Sequence, residues 1–583
     1  MEDFRTLLVF IGLLAAFGAV TLMLGMKERM RTRKKLLASL RGGFGAPPLK
    51  ETPPERYARI PRYYLRHREG FQVDDITWND LDMDQVYRAI DRTCSAAGEE
   101  YLYYLLRTPA MRPGDLAFRQ DQYAFFAGGA NEELRLRLQE ILSDLGHAGR
   151  YSLYDYLDLT EGLETGGNFR HYAAAAAPFA AFALMFLHTG IGILALILVL
   201  SVNLITYFRD KARIAPHFQV FHYVLRLLAC AQKLKDENCP AFPEEMDRIP
   251  EILKEFAAFR RGSSLLTGSA AGGSDPFGLV MEYVRILFHV DLIKFNSMLR
   301  ELRGKQDGID ALLTIVGRID ACISIVSWRE TLPYHAVPDL RESRGDDDGH
   351  SAQPGSAFPF AAKDLYHPLL TDPVPNSLTA DRPVLLTGSN ASGKSTFLKA
   401  AALCALLAQT TATAPAKEYQ GACYRIYSSM ALRDSLQDGE SYFIVEIKSL
   451  QRILRACRET DAPPVLCCID EVLRGTNTVE RIAASSEILA CFAAAGTLCL
   501  AATHDLELTG LLQDVYDNYH FSEEIRDGDV RFSYRLERGP SRTCNAIALL
   551  GALGYDSSLV SQARDRADRF LRTGRWGGEA FSC

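Results

Sequence analysis

The sequence predicts a multidomain chain of α plus α/β class: transmembrane helices, a long helical region, and a C-terminal α/β domain of the phosphate-loop type. Three observations predict it. Two long, uncharged apolar stretches lie at Leu7–Met26 and Tyr172–Phe208. Helical periodicity dominates between and after them, and Gly388-Ser-Asn-Ala-Ser-Gly-Lys-Ser395 fits GxxxxGK[ST] between a strand-like run and a helical pattern.

Leu7–Met26 is long enough to cross a hydrocarbon core as a helix, and Lys27-Glu-Arg-Met-Arg-Thr-Arg-Lys-Lys35 follows it. Basic residues stay on the cytoplasmic side, so the chain beyond them is expected in the cytoplasm. A cleaved signal would carry its charges before the apolar run, which favours an anchor. The second stretch, Tyr172–Phe208, is interrupted at His188-Thr-Gly190 and flanked by Arg170-His171, Arg209, Lys211 and Arg213. Its length suits two helices of roughly eighteen residues with both ends inside. A buried hairpin of a soluble domain is the alternative. Three spans make a multi-pass protein of the cell membrane with its C-terminal domain in the cytoplasm.

Helical patterns continue at Phe218–Lys235 and at Pro276–Arg303, the second opened by Ser274-Asp275 as cap and by Pro276 in the first turn. Arg341–Gly355 is polar and rich in turn formers, as a linker would be; its Asp346-Asp-Asp348 triplet reads as a solvated loop. Pro383-Val-Leu-Leu-Thr387 then leads into the glycine-rich loop, and the helical pattern Thr396–Gln409 leaves it. Backbone N–H groups of such a loop wrap phosphates, Lys394 supplies positive charge, and the Ser395 hydroxyl can ligate Mg²⁺. Gly388, Ser389, Asn390, Ala391, Ser392, Gly393, Lys394, Ser395 and Thr396 are therefore the expected binding residues for a nucleoside triphosphate with its Mg²⁺.

Two further apolar strands end in polar residues. Pro464-Val-Leu-Cys-Cys-Ile469 ends in Asp470-Glu471, where Asp470 can hold the Mg²⁺ and Glu471 is the expected general base that polarises the attacking water. Thr497–Ala502 ends in Thr503-His504-Asp505, and His504 could hydrogen-bond the γ-phosphate. Phe532–Leu536 reads as a strand and Tyr555–Thr573 as a last helix.

Thr387–Thr396, Asp470-Glu-Val-Leu-Arg-Gly-Thr476 and Ala502-Thr-His504 together resemble the ATPase domain of the MutS family, a branch of the ABC-type ATPases. Asp438-Gly-Glu-Ser441-Tyr-Phe-Ile-Val-Glu446 is similar to the family segment that reaches across a dimer. The resemblance implies a homodimer in which Ser441 acts in trans, Asn390 helps to position water, and Arg474-Gly-Thr-Asn477 lies between the two sites. Tyr366-His367-Pro368 and Val374-Pro-Asn376 look like the family's entry to this domain, near the adenine. Thr543–Ile547 precedes a helix that in the family packs against the partner's ATPase.

More faintly, Asn79-Asp-Leu-Asp82, Ile90-Asp-Arg-Thr93, Gly98 and Leu105–Pro109 resemble the start of the family's helical core, and the helical patterns Phe218–Lys235 and Pro276–Arg303 resemble its lever helices. The family's mismatch-reading module with its Phe-x-Glu motif is not found; membrane signals stand in its place. The resulting division is 1–27 anchor, 28–170 helical core-like region, 171–208 hairpin, 209–340 lever-like region, 341–356 linker, 357–573 ATPase domain and 574–583 tail.

Family resemblance implies DNA, including mismatched or branched DNA, as a partner. The residues do not: net charge is −7, and Lys233, Lys235, Arg300, Arg303 and Lys305 read as solvated helix faces rather than as a phosphate-binding surface. A membrane scaffold or signalling switch acting on a protein partner is the other reading. A transporter is disfavoured by three spans and by the missing LSGGQ signature. The 13 cysteines show no zinc-like spacing, and Cys467 and Cys468 fall in a core strand as reduced apolar residues.

Overall fold

A computed structural model describes residues 2–48, 53–147, 154–155, 167–261, 283–341, 360–389, 392–430, 442–459, 462–526, 529–541, 547, 550–551 and 554–574. The chain forms two compact units, one of Met1–His67, Ile90–Tyr104 and Asp121–Thr331, the other of Arg68–Ala89, Leu105–Gln120 and Leu332–Cys583.

The first unit is helical. Helix α1, Glu2–Gly43, carries both the apolar run and the basic cluster, and its later part is tied by Arg33 to Glu140 at 2.5 Å and by Arg41 to Glu132 at 2.7 Å. Helices α2, Phe169–Leu187, and α3, Thr189–Glu237, form the hairpin. The break falls at His188, an extended residue inside the expected interruption. Gly192 is required there, since a Cβ would lie 2.5 Å from the Met185 backbone. Both helices are long and apolar enough to cross a membrane over Phe169–Leu187 and Thr189–Ala212.

The second hairpin helix does not stop near Phe208. It runs unbroken for 49 residues, roughly 70 Å, so the expected lever pattern Phe218–Lys235 is its continuation. The expected helix Pro276–Arg303 differs too. Its cap lies outside the described residues, and the described part breaks at His289, left-handed at φ 52°, before α4, Val290–Leu302. Helix α5, Gln306–Arg329, is the core of this unit, burying Ile309, Leu312, Val316, Ile319, Ile323 and Val326. Its buried Asp320 accepts the N–H groups of Cys94 and Ser95 and so caps the helix Ala96–Arg107. Burial pushes that carboxyl up to about 7 against the pull of its donors.

The second unit is α/β. Its larger sheet contains β4 (Val384–Thr387), β6 (Arg425–Ser429), β7 (Val465–Asp470), β8 (Leu498–Ala502), β9 (Asp517–Arg526) and β10 (Asp529–Arg538), in the order β10-β9-β4-β8-β7-β6. All pairs are parallel except β10 with β9. A smaller sheet of β1 (Asp339–Arg341), β2 (Phe360–Leu365), β3 (Asn376–Ala380) and β5 (Glu418–Ala422) has the order β1-β5-β2-β3.

Strands β4 and β8 are buried along their whole length, and β7 up to Asp470, as expected for parallel strands covered on both faces. The expected strands and the helix after the loop form, the latter as α6, Lys394–Thr411. Cys467 and Cys468 are fully buried in β7. Helices α7, Tyr442–Cys457, and α8, Thr478–Ala494, pack Leu450, Ile453, Leu489 and Phe492 against the sheet with Leu385, Cys467 and Ile469.

Segments 68–89 and 105–120 belong to this unit through specific contacts. Asp82 pairs with Lys399 of α6 at 2.6 Å, buried Asp80 accepts from Ser428 Oγ and Met430 N–H, and Gln409 donates to the Ala110 carbonyl.

Candidate functional site

Parallel strands place their functional side chains at their C-terminal ends, and register fixes which ends meet. Asp470 of β7 lies opposite Ala502 of β8, and Ala502 opposite Leu386 of β4. The loop after β4, the acids after β7 and the histidine after β8 therefore leave the sheet along one edge. Two backbone bonds close the line: Glu471 N–H donates to the Ala502 carbonyl at 2.9 Å and Thr503 N–H to the Leu386 carbonyl at 2.9 Å.

The loop after β4 is shaped by its glycines. Gly388 is at φ 143°, where a Cβ would lie 2.9 Å from Ser392 Oγ and 3.0 Å from the Phe521 carbonyl oxygen; Gly393 is at φ 103°. Lys394, buried at the start of α6, donates from Nζ to the carbonyls of Gly388 and Ser389 at 2.8 and 2.7 Å. Ser392 Oγ donates to the Ser389 carbonyl at 2.8 Å. Asn390 and Ala391 lie outside the described residues, as does Ser441.

Beside this loop is a cleft of about 470 Å³ lined by Lys394, Ser395 and Thr396 together with Tyr366, His367, Val374 and Asn376. That volume is in the range of small-molecule sites. The residues expected near a base thus share one cleft with the phosphate loop. Burial, with the Lys399 charge added, holds the His367 imidazole down at about 4, so the ring is neutral near pH 7. Its Nδ1 accepts from Leu369 N–H at 3.3 Å, which leaves the proton on Nε2.

Two further lining residues were not legible in the sequence. Tyr534 and Phe521 line the same cleft, and Tyr534 is left-handed at φ 53° where β10 bulges between Phe532 and Leu536. Asn376 fixes the bulge by donating to the Tyr534 carbonyl at 2.9 Å and accepting from Leu536 N–H at 2.7 Å. The strand pattern Phe532–Leu536 signalled the element, but nothing local signalled the bulge.

Glu471 is the focus of the edge. His504 Nε2 donates to its Oε1 at 2.7 Å, and Arg474 pairs with its Oε2. The histidine thus meets the neighbouring carboxylate. Its turn is held by Arg481 of α8, which binds both Asp505 oxygens at 2.8 and 2.6 Å. Burial alone raises the Glu471 carboxyl, but the hydrogen bonds and charges of His504 and Arg474 outweigh it and hold the group down at about 2. Glu471 is therefore ionised at neutral pH.

The donor set fits a magnesium-bound triphosphate. Glycine-built curvature, a buried ammonium turned onto the loop, a hydroxyl at the helix start and a strand-end carboxylate are the groups such a ligand needs. Lys394 and the loop amides would hold phosphate; Ser395 and Asp470 would hold Mg²⁺.

Comparison with known proteins places residues 384–571 in the family described as MutS domain V. The chain is 30% identical over 292 residues to DNA mismatch repair protein MutS 2 of Haloarcula marismortui, a match covering 46% of this chain and 30% of the relative. It is 36% identical over 200 residues to DNA mismatch repair protein MutS of Lawsonia intracellularis, covering 33% and 22%. With the Thermus aquaticus protein of that name it shares 33% identity over 203 residues, covering 34% and 24%. The chain thus spans less than a third of the length of these relatives.

Proposed function

Because the chain belongs to the MutS family through its C-terminal domain, we propose that it is a membrane-anchored ATPase. In this reading it binds ATP with Mg²⁺ in the cleft beside Lys394, works as a homodimer, and couples the cycle to movement of the lever helices. The observation that carries the reading is the convergence of the Lys394 loop, Asp470-Glu471 and His504 on one sheet edge.

When bound, magnesium-ATP supplies the reactive phosphoryl group. Lys394 binds phosphate, and Ser395 and Asp470 hold the cation. Glu471, ionised and with both oxygens engaged, orients and polarises water; a carboxylate held this acidic is a poor final proton acceptor. His504 keeps Glu471 in place. Asn390 is proposed to help to position the water, and Ser441 to contact the nucleotide of the second copy.

The anchor reading is supported by exposed apolar surface on the hairpin: Phe186 is 81%, Leu194 70% and Ile205 68% exposed. Lipid is the solvent that suits such a surface. With α1 as a further span, the chain is a multi-pass protein of the cell membrane, its ATPase in the cytoplasm.

Two partners are compatible with this machine. The relatives are named for DNA mismatch repair, which supports DNA. Against it, Lys233 is paired with Asp144 and Lys305 with Glu301, so two of the basic residues that read as solvated helix faces have partners inside the chain. This favours the second reading, a switch acting on a protein.

ATP hydrolysis by the purified chain, measured with homoduplex, mismatched and branched DNA, separates them. Stimulation by one class supports DNA; hydrolysis with no DNA binding even at low salt leaves the protein switch; no hydrolysis ends both.

A further inference from the structure

The turn that follows Glu471 is held in an unfavourable shape by a residue with no assigned role. Glu471 and Leu473 are both left-handed, at φ 60° and 57°. Such conformations are disfavoured for residues other than glycine and persist only where their surroundings over-determine them. The surroundings here are specific. Glu446 of α7 is buried, and its Oε1 accepts the N–H of Leu473 at 2.5 Å and that of Arg474 at 3.4 Å. Phe443 of the same helix packs on Gly475, where a Cβ would come within 3.4 Å of its side chain. From the other side, Ser485 Oγ of α8 donates to the Val472 carbonyl at 3.1 Å.

A buried carboxylate needs a reason to be there, and among the described residues the other Glu446 oxygen has no hydrogen-bond partner. Its bonds go only to the main chain of the two residues that determine where Arg474 points. Arg474 in turn pairs with Glu471.

We propose that Glu446 is a positioning residue for hydrolysis: by accepting the Leu473 and Arg474 N–H groups it fixes the left-handed turn and thereby the direction of the Glu471 carboxylate. The inference rests on the ATPase reading above and deepens it. Glu446 touches no reacting atom. It sets how well the water-orienting group is aimed, and leaves nucleotide binding to the Lys394 loop.

The test is steady-state ATP hydrolysis by the full chain and its Glu446→Ala, Glu446→Gln and Glu471→Gln variants, with ATP affinity measured in parallel. Misplacing a catalytic group by an ångström costs up to about 100-fold. Glu446→Ala is expected to lower kcat by about 10- to 100-fold with KM within about twofold. Glu446→Gln retains an oxygen acceptor and is expected to keep kcat within about threefold of the parent. Residues acting through one group are non-additive, so Glu446→Ala should add little to Glu471→Gln.

An unchanged kcat in Glu446→Ala, losses that multiply in the double variant, or a Glu446→Gln chain as impaired as Glu471→Gln would each overturn the proposal. If Glu446→Ala does not fold, the Gln variant and its combination with Glu471→Gln still decide it. Failure of the parent chain to bind or hydrolyse ATP would instead overturn the ATPase reading, which the parent assay reports separately.

Discussion

The strands β4, β7 and β8 and the hairpin of α2 with the first half of α3 are both strongly apolar, yet they meet opposite surroundings. Leu385, Leu386, Ile469, Leu500 and Ala501 are wholly buried, whereas Leu194 and Phe186 are 70% and 81% exposed. The difference is one of length and ending. The strands are four to six residues long and run into Gly388, Asp470-Glu471 and Thr503-His504, so their apolar character hides a core while their tips present chemistry. The hairpin helices run as largely apolar segments of 19 and 24 residues with little of their own chain to cover them. Hydrophobicity by itself distinguishes neither role; what lies at the end of the run does.

The largest effect that would sharpen this contrast is at a strand tip. Glu471→Gln is isosteric and is expected to preserve ATP binding while lowering hydrolysis by about 10²- to 10⁴-fold, with an ATP-bound dimer accumulating on size exclusion. Equal turnover in parent and variant would reject the strand tip as the source of catalysis.

On the hairpin, Leu194→Cys places a thiol on the exposed face. In sealed native vesicles it should resist a membrane-impermeant maleimide, and in detergent it should react, as an increment over the parent chain. Rapid labelling in both states would mean that water, not lipid, faces this helix, and the comparison would fail on that side.

A smaller effect concerns pH. The Glu471 carboxyl is lowered from 4.5 to about 2, so its ionised form stabilises the fold above pH 4.5, and that contribution is lost as pH falls through about 2. The gap in thermal stability between the parent and Glu471→Gln should therefore narrow between pH 4.5 and 2. A gap independent of pH would show that His504 and Arg474 do not favour the charged form.

How much of this was legible depended on range. The phosphate loop, its strand and helix, and the acids after β7 could be read because each is a local pattern whose neighbours in sequence are its neighbours in space. The hairpin break at His188 was readable for the same reason. The left-handed Leu473, held by Glu446, and the bulge at Tyr534, held by Asn376, follow from packing that no short window contains. Asp82 and Lys399 meet across 317 positions, and Asp320 caps a helix from 225 residues beyond Ser95. Long-range contacts of this kind need the fold first. They also explain why Asn79–Asp82, readable as the start of a helical core, supplies Asp80 and Asp82 to the unit that carries the sheet. The continuation of α3 past Phe208 was missed because the apolar pattern stops while the helical propensity does not.

Equilibrium titration of the purified full chain with ATP in the presence of Mg²⁺, set against Lys394→Ala, tests the central claim most directly. The account predicts saturable binding that Lys394→Ala weakens by two orders of magnitude or more, roughly what loss of a buried, charge-assisted phosphate contact costs. A folded parent chain with no measurable affinity for ATP, or a Lys394→Ala chain that binds as well as the parent, would contradict it.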